Sequence, residues 1–394
     1  MKTMIRKCPV CDNICGELLY HQSFILPDKH PLNNVLDIVS CNNCGCVYND
    51  TISSQEEYNW FYKEYSKYED DNISSGAGIM GYDKLRMEGV AECISKYASD
   101  KNVEILDIGT GNGGLLKILQ AKGYTNLTGI DPSQTCVNNL IKKGINGIKG
   151  DVFSDELSVN NRKYDIVILS HVLEHIRDIG LAIKNIINLI KLNGILYIEV
   201  PDASRYKDYF ITPYHYFDIE HINHFDRHSL CNLLKRYGIK LLECKEYEIQ
   251  VSEFNYYPSV YVLGRKESSD ESLQVSKSTT CRKNTEEYIR LSEVNEKYEE
   301  LQQLVLTQEP VVIWGAGSYT MRMLSNTSLG QCNIKLFVDI NANKQKEKIN
   351  GIQVMHPGEL IHISDTIIVA SALYKEEIKA SIKEMKLPNK VITL

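Results

Sequence analysis

One stretch limits what this chain can fold into more than any other: Val103 to Gly114, reading V-E-I-L-D-I-G-T-G-N-G-G. Apolar residues at Val103, Ile105, Leu106 and Ile108 make a buried strand. Gly109, Gly111 and Gly113 follow at once, so the backbone turns tightly and lets a ligand come where a Cβ would collide. A strand, a glycine turn and a helix start form a cradle of the nucleotide-binding type in a parallel α/β sheet. A second strand, Leu127 to Ile130, ends in Asp131, where a carboxylate reaches two ribose hydroxyls. Gly150-Asp151 closes a third short strand, and Tyr164 to Ser170 reads as a strand buried on both faces. Then come an amphipathic helix over Ile179 to Ile190, a buried strand over Gly194 to Val200 capped by Pro201-Asp202, and strands over Leu241 to Ile249 and Ser259 to Gly264.

Four of these pieces, in order, resemble the successive motifs of class I S-adenosylmethionine-dependent methyltransferases. They are Glu104-x-Leu106-Asp107-Ile108-Gly109-x-Gly111-x-Gly113, the acid Asp131, the pair Gly150-Asp151, and Tyr164-Asp165 through Ser170-His171-Val172-Leu173-Glu174-His175. The resemblance implies an α/β fold with a doubly wound sheet, closed by the antiparallel pair Leu241 to Ile249 and Ser259 to Gly264. It implies that Gly109 and Gly111 pass beneath the methionine part of the cofactor and that Asp131 takes the ribose. Asp151 and Val152 would edge the adenine, and Ser170 and His171 would line the cleft. Asp107 and Gly113 join them as cofactor-binding candidates. A dehydrogenase is the rival reading of the same residues. Against it, Gly113-Gly114 keeps the glycine spacing loose, and a strand ending in Pro201 suits the methyltransferase sheet better.

With 394 residues the chain has room for two or three domains, and its formal net charge of -7 disfavours a protein that neutralises phosphate backbones. Small molecules are therefore the expected partners, with no nucleic acid. No apolar run approaches the length of a bilayer span, and the amino-terminal residues run into cysteines rather than a signal core, so a cytoplasmic protein without membrane contact is expected. The oligomeric expectation is a monomer or homodimer.

Cys8-Pro-Val-Cys11 and Cys41-Asn-Asn-Cys44 are two C-x-x-C knuckles. Each points two thiolates at one metal, and together Cys8, Cys11, Cys41 and Cys44 complete a tetrahedral zinc site with no open position, which is the structural kind. Cys15, Cys46, His21 and His30 are spare donors, and unligated core thiols are the bland alternative.

An aromatic run from Tyr58 through Trp60, Phe61, Tyr62, Tyr65 and Tyr68 to Tyr82, with a turn at Ser74 to Gly78, reads either as a lid over a sulfonium or as ordinary helix packing. A helix from about Asp83 to Tyr97 leads into the central strand. Further on, His215, His221, His224 and His228 fall within fourteen residues, beside Asp218 and Glu220. Imidazole takes and gives protons near neutral pH, and a carboxylate beside it steadies its tautomer. A second metal is the rival here, and His228 fits a helix start better than a site.

The four-cysteine knuckles, the central methyltransferase fold, this histidine segment and a further α/β region resemble the zinc-containing sugar C-methyltransferases. That family's Tyr-His-Glu-His-x-x-Tyr-Phe segment supplies a catalytic tyrosine, glutamate and histidine. Laid on this chain, its Glu-His pair falls on Glu220 and His221, and Phe225 matches. Its first tyrosine falls on Asp218 and its second on His224, so the substrate or the methylated atom is open to change. Tyr216, or Tyr214, substitutes only if the loop shifts. The catalytic candidates are accordingly His221, Glu220, His224 and Tyr216.

Lys266 to Lys283 reads as a linker, and Asn284 to Gln308 as one charged helix serving as a strut or a short coiled coil. Pro310 to Thr320 repeats the strand and glycine turn, and Asp339 ends the next strand. Thr320 in place of a third glycine weakens a dinucleotide site, although a nucleotide diphosphate near Gly315 to Ser318 stays open. The expected division is 1–56 zinc-binding, 57–267 methyltransferase, 268–308 linker and helix, and 309–394 Rossmann-like. The expected cofactors are S-adenosylmethionine and a structural Zn2+. The expected function is methylation of a carbon or hydroxyl of a nucleotide-activated sugar, with His221 as base. An NAD-dependent oxidoreductase using the carboxy-terminal half, or a binding protein without catalysis, are the alternatives.

Overall fold

The computed structural model describes residues 2–64, 81–154, 157, 162–253, 255–268 and 274–394. Tyr65, Tyr68 and the Ser74 to Gly78 turn lie outside them. The chain divides into two compact units that cut across the four-part division expected above. The first holds Met1–Glu17, Val39–Tyr209 and Glu220–Thr285; the second holds Leu18–Ile38, Phe210–Ile219 and Glu286–Leu394.

In the first unit, β1 (Lys2–Thr3) pairs antiparallel with the start of β2 (Cys15–Ser23). After β3 (Val35–Cys41), β4 (Val47–Asn49) pairs antiparallel with β10 (Asn223–His224). That pairing ties the cysteine-rich amino terminus to the histidine segment. Then α1 (Gln55–Glu64) and α2 (Gly81–Tyr97) lead into a seven-stranded sheet. Its strands in chain order are β5 (Glu104–Ile108), β6 (Asn126–Asp131), β7 (Asn146–Lys149), β8 (Tyr164–Ser170), β9 (Ile190–Pro201), β11 (Ile239–Gln250) and β12 (Tyr256–Lys266). In space they run β11-β12-β9-β8-β5-β6-β7.

The strands from β9 through β8, β5 and β6 to β7 are parallel, and β12 and β11 are antiparallel, as the apolar runs without alternation and the two later strands imply. Between the strands lie α3 (Gly114–Ala121), α4 (Gln134–Lys142) and α5 (Ile179–Leu189), with α6 (Arg227–Arg236) before β11. Ile179, Ala182, Ile183 and Ile186 are buried at helical spacing on α5, each larger side chain contributing roughly 2 kcal/mol of transfer free energy. Gly129 lets α3 and α4 close on β6, since a Cβ there would stand 2.7 Å from Thr110 and 2.8 Å from Leu140.

The chain reverses direction where β5 gives way to β6 on one side and β8 on the other. Ligands of such sheets bind at the carboxyl ends of the strands beside that switch.

The expected linker is held down over its described part: Ser276 N donates to Asn232 on α6 at 3.3 Å, and Ser278 N donates to Cys44 O at 3.1 Å. The single helix expected from Asn284 is two, α7 (Thr280–Asn295) and α8 (Glu299–Thr307). Asn295 stops the first, its side-chain amide donating to Leu291 O at 2.7 Å. Glu296 then turns to meet the buried Arg322, with its carboxylate 2.5 and 3.1 Å from the guanidinium.

In the second unit β13 (Pro310–Trp314), α9 (Ser318–Asn326), β14 (Asn333–Val338), β15 (Lys348–Ile349), β16 (Ile352–Met355), β17 (Thr366–Val369), α10 (Lys375–Glu384) and β18 (Val391–Thr393) build a second Rossmann-like sheet, ordered β15-β16-β14-β13-β17-β18. Val312, Trp314, Val338, Ile367 and Val369 supply its core.

Candidate functional site

The glycine turn after β5 folds back on β6, with Gly109 N and Thr110 N donating to Ile130 O at 2.9 and 3.2 Å. Gly109 lies at φ +69°, and a Cβ on it would stand 2.6 Å from Val172, so no side chain fits. Asp131 Oδ2 accepts from Gly111 N at 2.8 Å, and Oδ1 accepts from Ser133 N at 2.9 Å. Those bonds aim the carboxylate into the cleft at the end of the second strand, where an acceptor of this kind can meet a pair of hydroxyls.

Asp107, Gly109, Gly111, Asp131, Asp151, Val152, Ser170 and His171 all line one cleft, with apolar walls from Ile108, Leu115 and Phe153. The cleft also takes in Tyr62, Arg86 and His175. Gly113 stands apart from that lining as the N-cap of α3, at φ +77°. A cradle closed to side chains, a carboxylate aimed by backbone amides and apolar walls fit the ribose, adenine and methionine parts of S-adenosylmethionine.

Electrostatically the floor of the cleft is dense. Glu199, with 0% of its surface exposed, accepts from Ser170 Oγ at 2.5 Å and from the Tyr247 hydroxyl, and lies 3.4 Å from the Arg86 guanidinium. His171 sits between two buried carboxylates, its Nδ1 3.1 Å from Glu174 and its Nε2 3.6 Å from Glu199. Burial alone would lower the His171 pKa, but the bonds to Glu174 and Glu199 outweigh it and raise the value to about 9. Burial pushes the Asp107 carboxyl up to about 7, against the pull of Thr110 and Arg86.

Because the folded chain holds the His171 proton more tightly than an unfolded one, this group stabilises the fold fully below about pH 6.5 and loses that contribution as pH rises through about 9. The side chain is 22% exposed, which discounts the effect to about 1 to 2 kcal/mol. Thermal melts from pH 6 to 9.5 should show that decline, and His171→Gln should flatten it. Equal slopes in both proteins would refute the assignment.

His175 Nδ1 is 2.8 Å from the Tyr62 hydroxyl and 3.0 Å from the Glu220 carbonyl oxygen. The His221 ring packs edge-on against His175 with centroids 4.7 Å apart. Of the four catalytic candidates, His221 thus stands beside the cleft, and Glu220 joins it through its backbone. His224 does not join them: it is fully buried on β10, with Nε2 3.0 Å from Asn49 Oδ1 and Nδ1 3.4 Å from the Tyr206 hydroxyl. Burial, helped by Arg6, lowers its pKa to about 3, so it is a neutral packing group. Tyr216 belongs to the second unit, where it is buried with its amide 3.2 Å from the Tyr288 hydroxyl.

Four residues that shape the site had no sequence signal or one too weak to use. Arg86 stands on α2 far from any motif. Glu174 and His175 lie inside a quoted motif that gave them no role. Arg6 is buried two residues before Cys8 and donates to Ile222 O (3.0 Å), Arg177 O (2.7 Å) and Asn223 Oδ1 (2.6 Å). It clamps the backbone that carries His221.

The four knuckle cysteines converge, with their Sγ atoms all within 4.8 Å of one another, Cys8 3.6 Å from Cys44 and Cys11 3.5 Å from Cys41. A tetrahedral ion with metal–sulfur bonds of about 2.3 Å spaces its sulfurs about 3.8 Å apart, so the set fits zinc. Of the spare donors, Cys46 is buried with its thiol toward Val47 O, and His21 pairs with Asp37 at 2.7 Å in the second unit.

At the second glycine turn, Asp339 repeats the pattern of Asp131 by accepting from Ala316 N at 2.8 Å and Asn341 N at 2.9 Å. Thr320 closes that turn on Gly315 O and Ala370 O, and Ser318 donates to Asp218 at 2.9 Å. A carboxylate therefore stands where a phosphate would approach the first residue of α9.

Residues 82–244 match a family model described as a methyltransferase domain, and residues 307–393 match one described as C2185-like, N-terminal. The chain is 33% identical over 125 residues to a ubiquinone biosynthesis O-methyltransferase of Rickettsia canadensis, covering 31% of this chain and 52% of that one. It is 32% identical over 130 residues to the protein of the same name from Pelagibacter ubique, covering 30% and 54%. The chain thus spans about half the length of these curated relatives. Among solved structures it is similar to the 1,6-didemethyltoxoflavin-N1-methyltransferase of Burkholderia thailandensis, at a TM-score of 0.42 and 14% identity over 59% of this chain and 96% of that one. No helix among the described residues is long and apolar enough to cross a membrane.

Proposed function

We propose that the chain, whose residues 82–244 match a methyltransferase-domain family model, transfers a methyl group from S-adenosylmethionine to a small-molecule acceptor, a nucleotide-activated sugar. The observation that carries the reading is the cradle of Gly109, Gly111 and Asp131 opening into the same cleft as His171 and His175. Bound there, the cofactor supplies an electrophilic methyl group.

The chain's own residues do the rest. Asp131 and the glycine turn fix the nucleoside, apolar walls exclude water, and the cluster of Glu174, His175 and His221 manages the acceptor's proton. The sugar acceptor rests on the whole organisation, with thiol knuckles before the methyltransferase sheet and a second Rossmann-like sheet after it. An oxygen acceptor, rather than carbon, is favoured by the O-methyltransferase names of the relatives.

His221→Asn should lower turnover at least about 100-fold, while the affinity for S-adenosylhomocysteine stays within a few fold. Unchanged turnover would remove His221 from the site. The acceptor itself is found by incubating a panel of nucleotide sugars with the cofactor and looking by mass spectrometry for the gain of one methylene; no gain on any sugar would reject that class.

A further inference from the structure

Beside the cofactor cleft, Glu174, His175 and His221 place one carboxylate oxygen and two imidazole nitrogens all within 4.8 Å of one another. We propose that this cluster is a second metal site, holding a divalent first-row transition ion that activates the acceptor. The proposal rests on the methyltransferase reading for its role, and on this cluster alone for its existence.

The tautomer of His175 makes the case. Nδ1 lies 3.0 Å from Glu220 O, which only accepts, and 2.8 Å from the Tyr62 hydroxyl, which can accept as well, so the proton that satisfies both partners sits on Nδ1 and Nε2 presents a lone pair. That lone pair faces Glu174 Oε1 at 4.0 Å, so two acceptors confront each other across a gap too long for a hydrogen bond. An imidazole whose far nitrogen donates to a backbone carbonyl has the support that metal-binding histidines use.

A second observation is independent of the first. Glu174 is 1% exposed, and His171 satisfies its Oε1 at 3.1 Å, whereas Oε2 is buried without a hydrogen-bond partner among the described residues. A buried carboxylate oxygen left in that state is costly unless a cation meets it. His221 completes the set from another segment, its backbone held by Asn49 Nδ2 at 3.1 Å and the next carbonyl by Arg6 at 3.0 Å.

Metal–ligand bonds of about 2.1 Å put tetrahedral donors about 3.4 Å apart, so the side chains need only rotate inward. Two imidazoles and one carboxylate suit Zn2+, Fe2+ or Co2+ and leave coordination positions open. The substrate class follows. An acceptor with two neighbouring oxygens, a hydroxyl beside a carbonyl or a second hydroxyl, chelates the ion through both. With His175 and His221 on the ion, the cluster manages the acceptor's proton through the metal rather than as a free base: the ion lowers the pKa of the hydroxyl, whose proton passes to solvent. The resulting oxygen anion bonds to the methyl carbon while the carbon–sulfur bond breaks, its electron pair staying on the now neutral sulfur.

The test uses the full chain with zinc already in its cysteine site, titrated with Co2+ and followed by visible absorption. The expected result is one added Co2+ per chain with d–d bands and no thiolate charge-transfer band, lost in both Glu174→Gln and His221→Ala. A wild-type chain that takes up no Co2+, or takes it up only with the thiolate band, would overturn the proposal without recourse to any variant. So would a d–d spectrum that survives in both variants. S-adenosylhomocysteine binding, measured on all three proteins, shows that the variants are folded. It also judges the methyltransferase reading separately, because a chain that binds the nucleoside but no Co2+ loses only the metal.

Discussion

Asp131→Ala is expected to weaken S-adenosylhomocysteine binding by about 100- to 10,000-fold, because two hydroxyls lose a charged acceptor at about 1.5 to 3 kcal/mol each. The same carboxylate aligns the turn by accepting from Gly111 N and Ser133 N, so Asp131→Asn is the sharper variant. The amide keeps one oxygen for one of those bonds, and it loses the charge and one acceptor position. Isothermal titration on both variants checks this. Binding within a few fold of wild type would place the nucleoside elsewhere.

The second large effect lies outside the cleft. Cys44→Ser should lower the zinc content by one equivalent per chain and unfold the amino-terminal knuckles, since structural zinc supplies about 10 to 16 kcal/mol in isolated small zinc domains. The loss should propagate in one direction. Arg6 stands two residues from Cys8 and clamps Ile222, Arg177 and Asn223, so melting the knuckles frees the His221 segment from its anchor. Turnover should therefore fall at least about 100-fold while S-adenosylhomocysteine affinity, set by Asp131 and the glycine turn, stays within a few fold. Metal analysis, limited proteolysis and titration together check this. A variant that keeps its zinc, or that keeps full turnover without it, would show the knuckles to be independent of the site.

These effects follow how far local sequence determined each part. The glycine turn and Asp131 could be read because their chemistry is local: a backbone position at φ +69° admits glycine, and the acid ends the adjoining parallel strand. The knuckles were equally plain, since each C-x-x-C pair makes half a site by itself. His224 misled because a histidine beside others looks reactive, whereas the pairing of β10 with β4 buries it against Asn49, a residue remote in sequence. Arg86, Arg6 and His175 acquire their roles from contacts across more than forty residues, which no spacing rule reports, and Glu174, although it pairs with His171 three residues away, meets His221 only through the fold. The break between α7 and α8 has the same origin, in the pull of Arg322 on Glu296.

The central claim is that the cleft at the carboxyl ends of β5 and β6 binds a sulfonium nucleoside through Asp131. Calorimetric titration of the zinc-replete chain with S-adenosylmethionine, and separately with S-adenosylhomocysteine, tests it most directly. A saturable one-to-one isotherm with either, abolished in Asp131→Ala, is the predicted result. No heat from either nucleoside in the wild-type protein would contradict it.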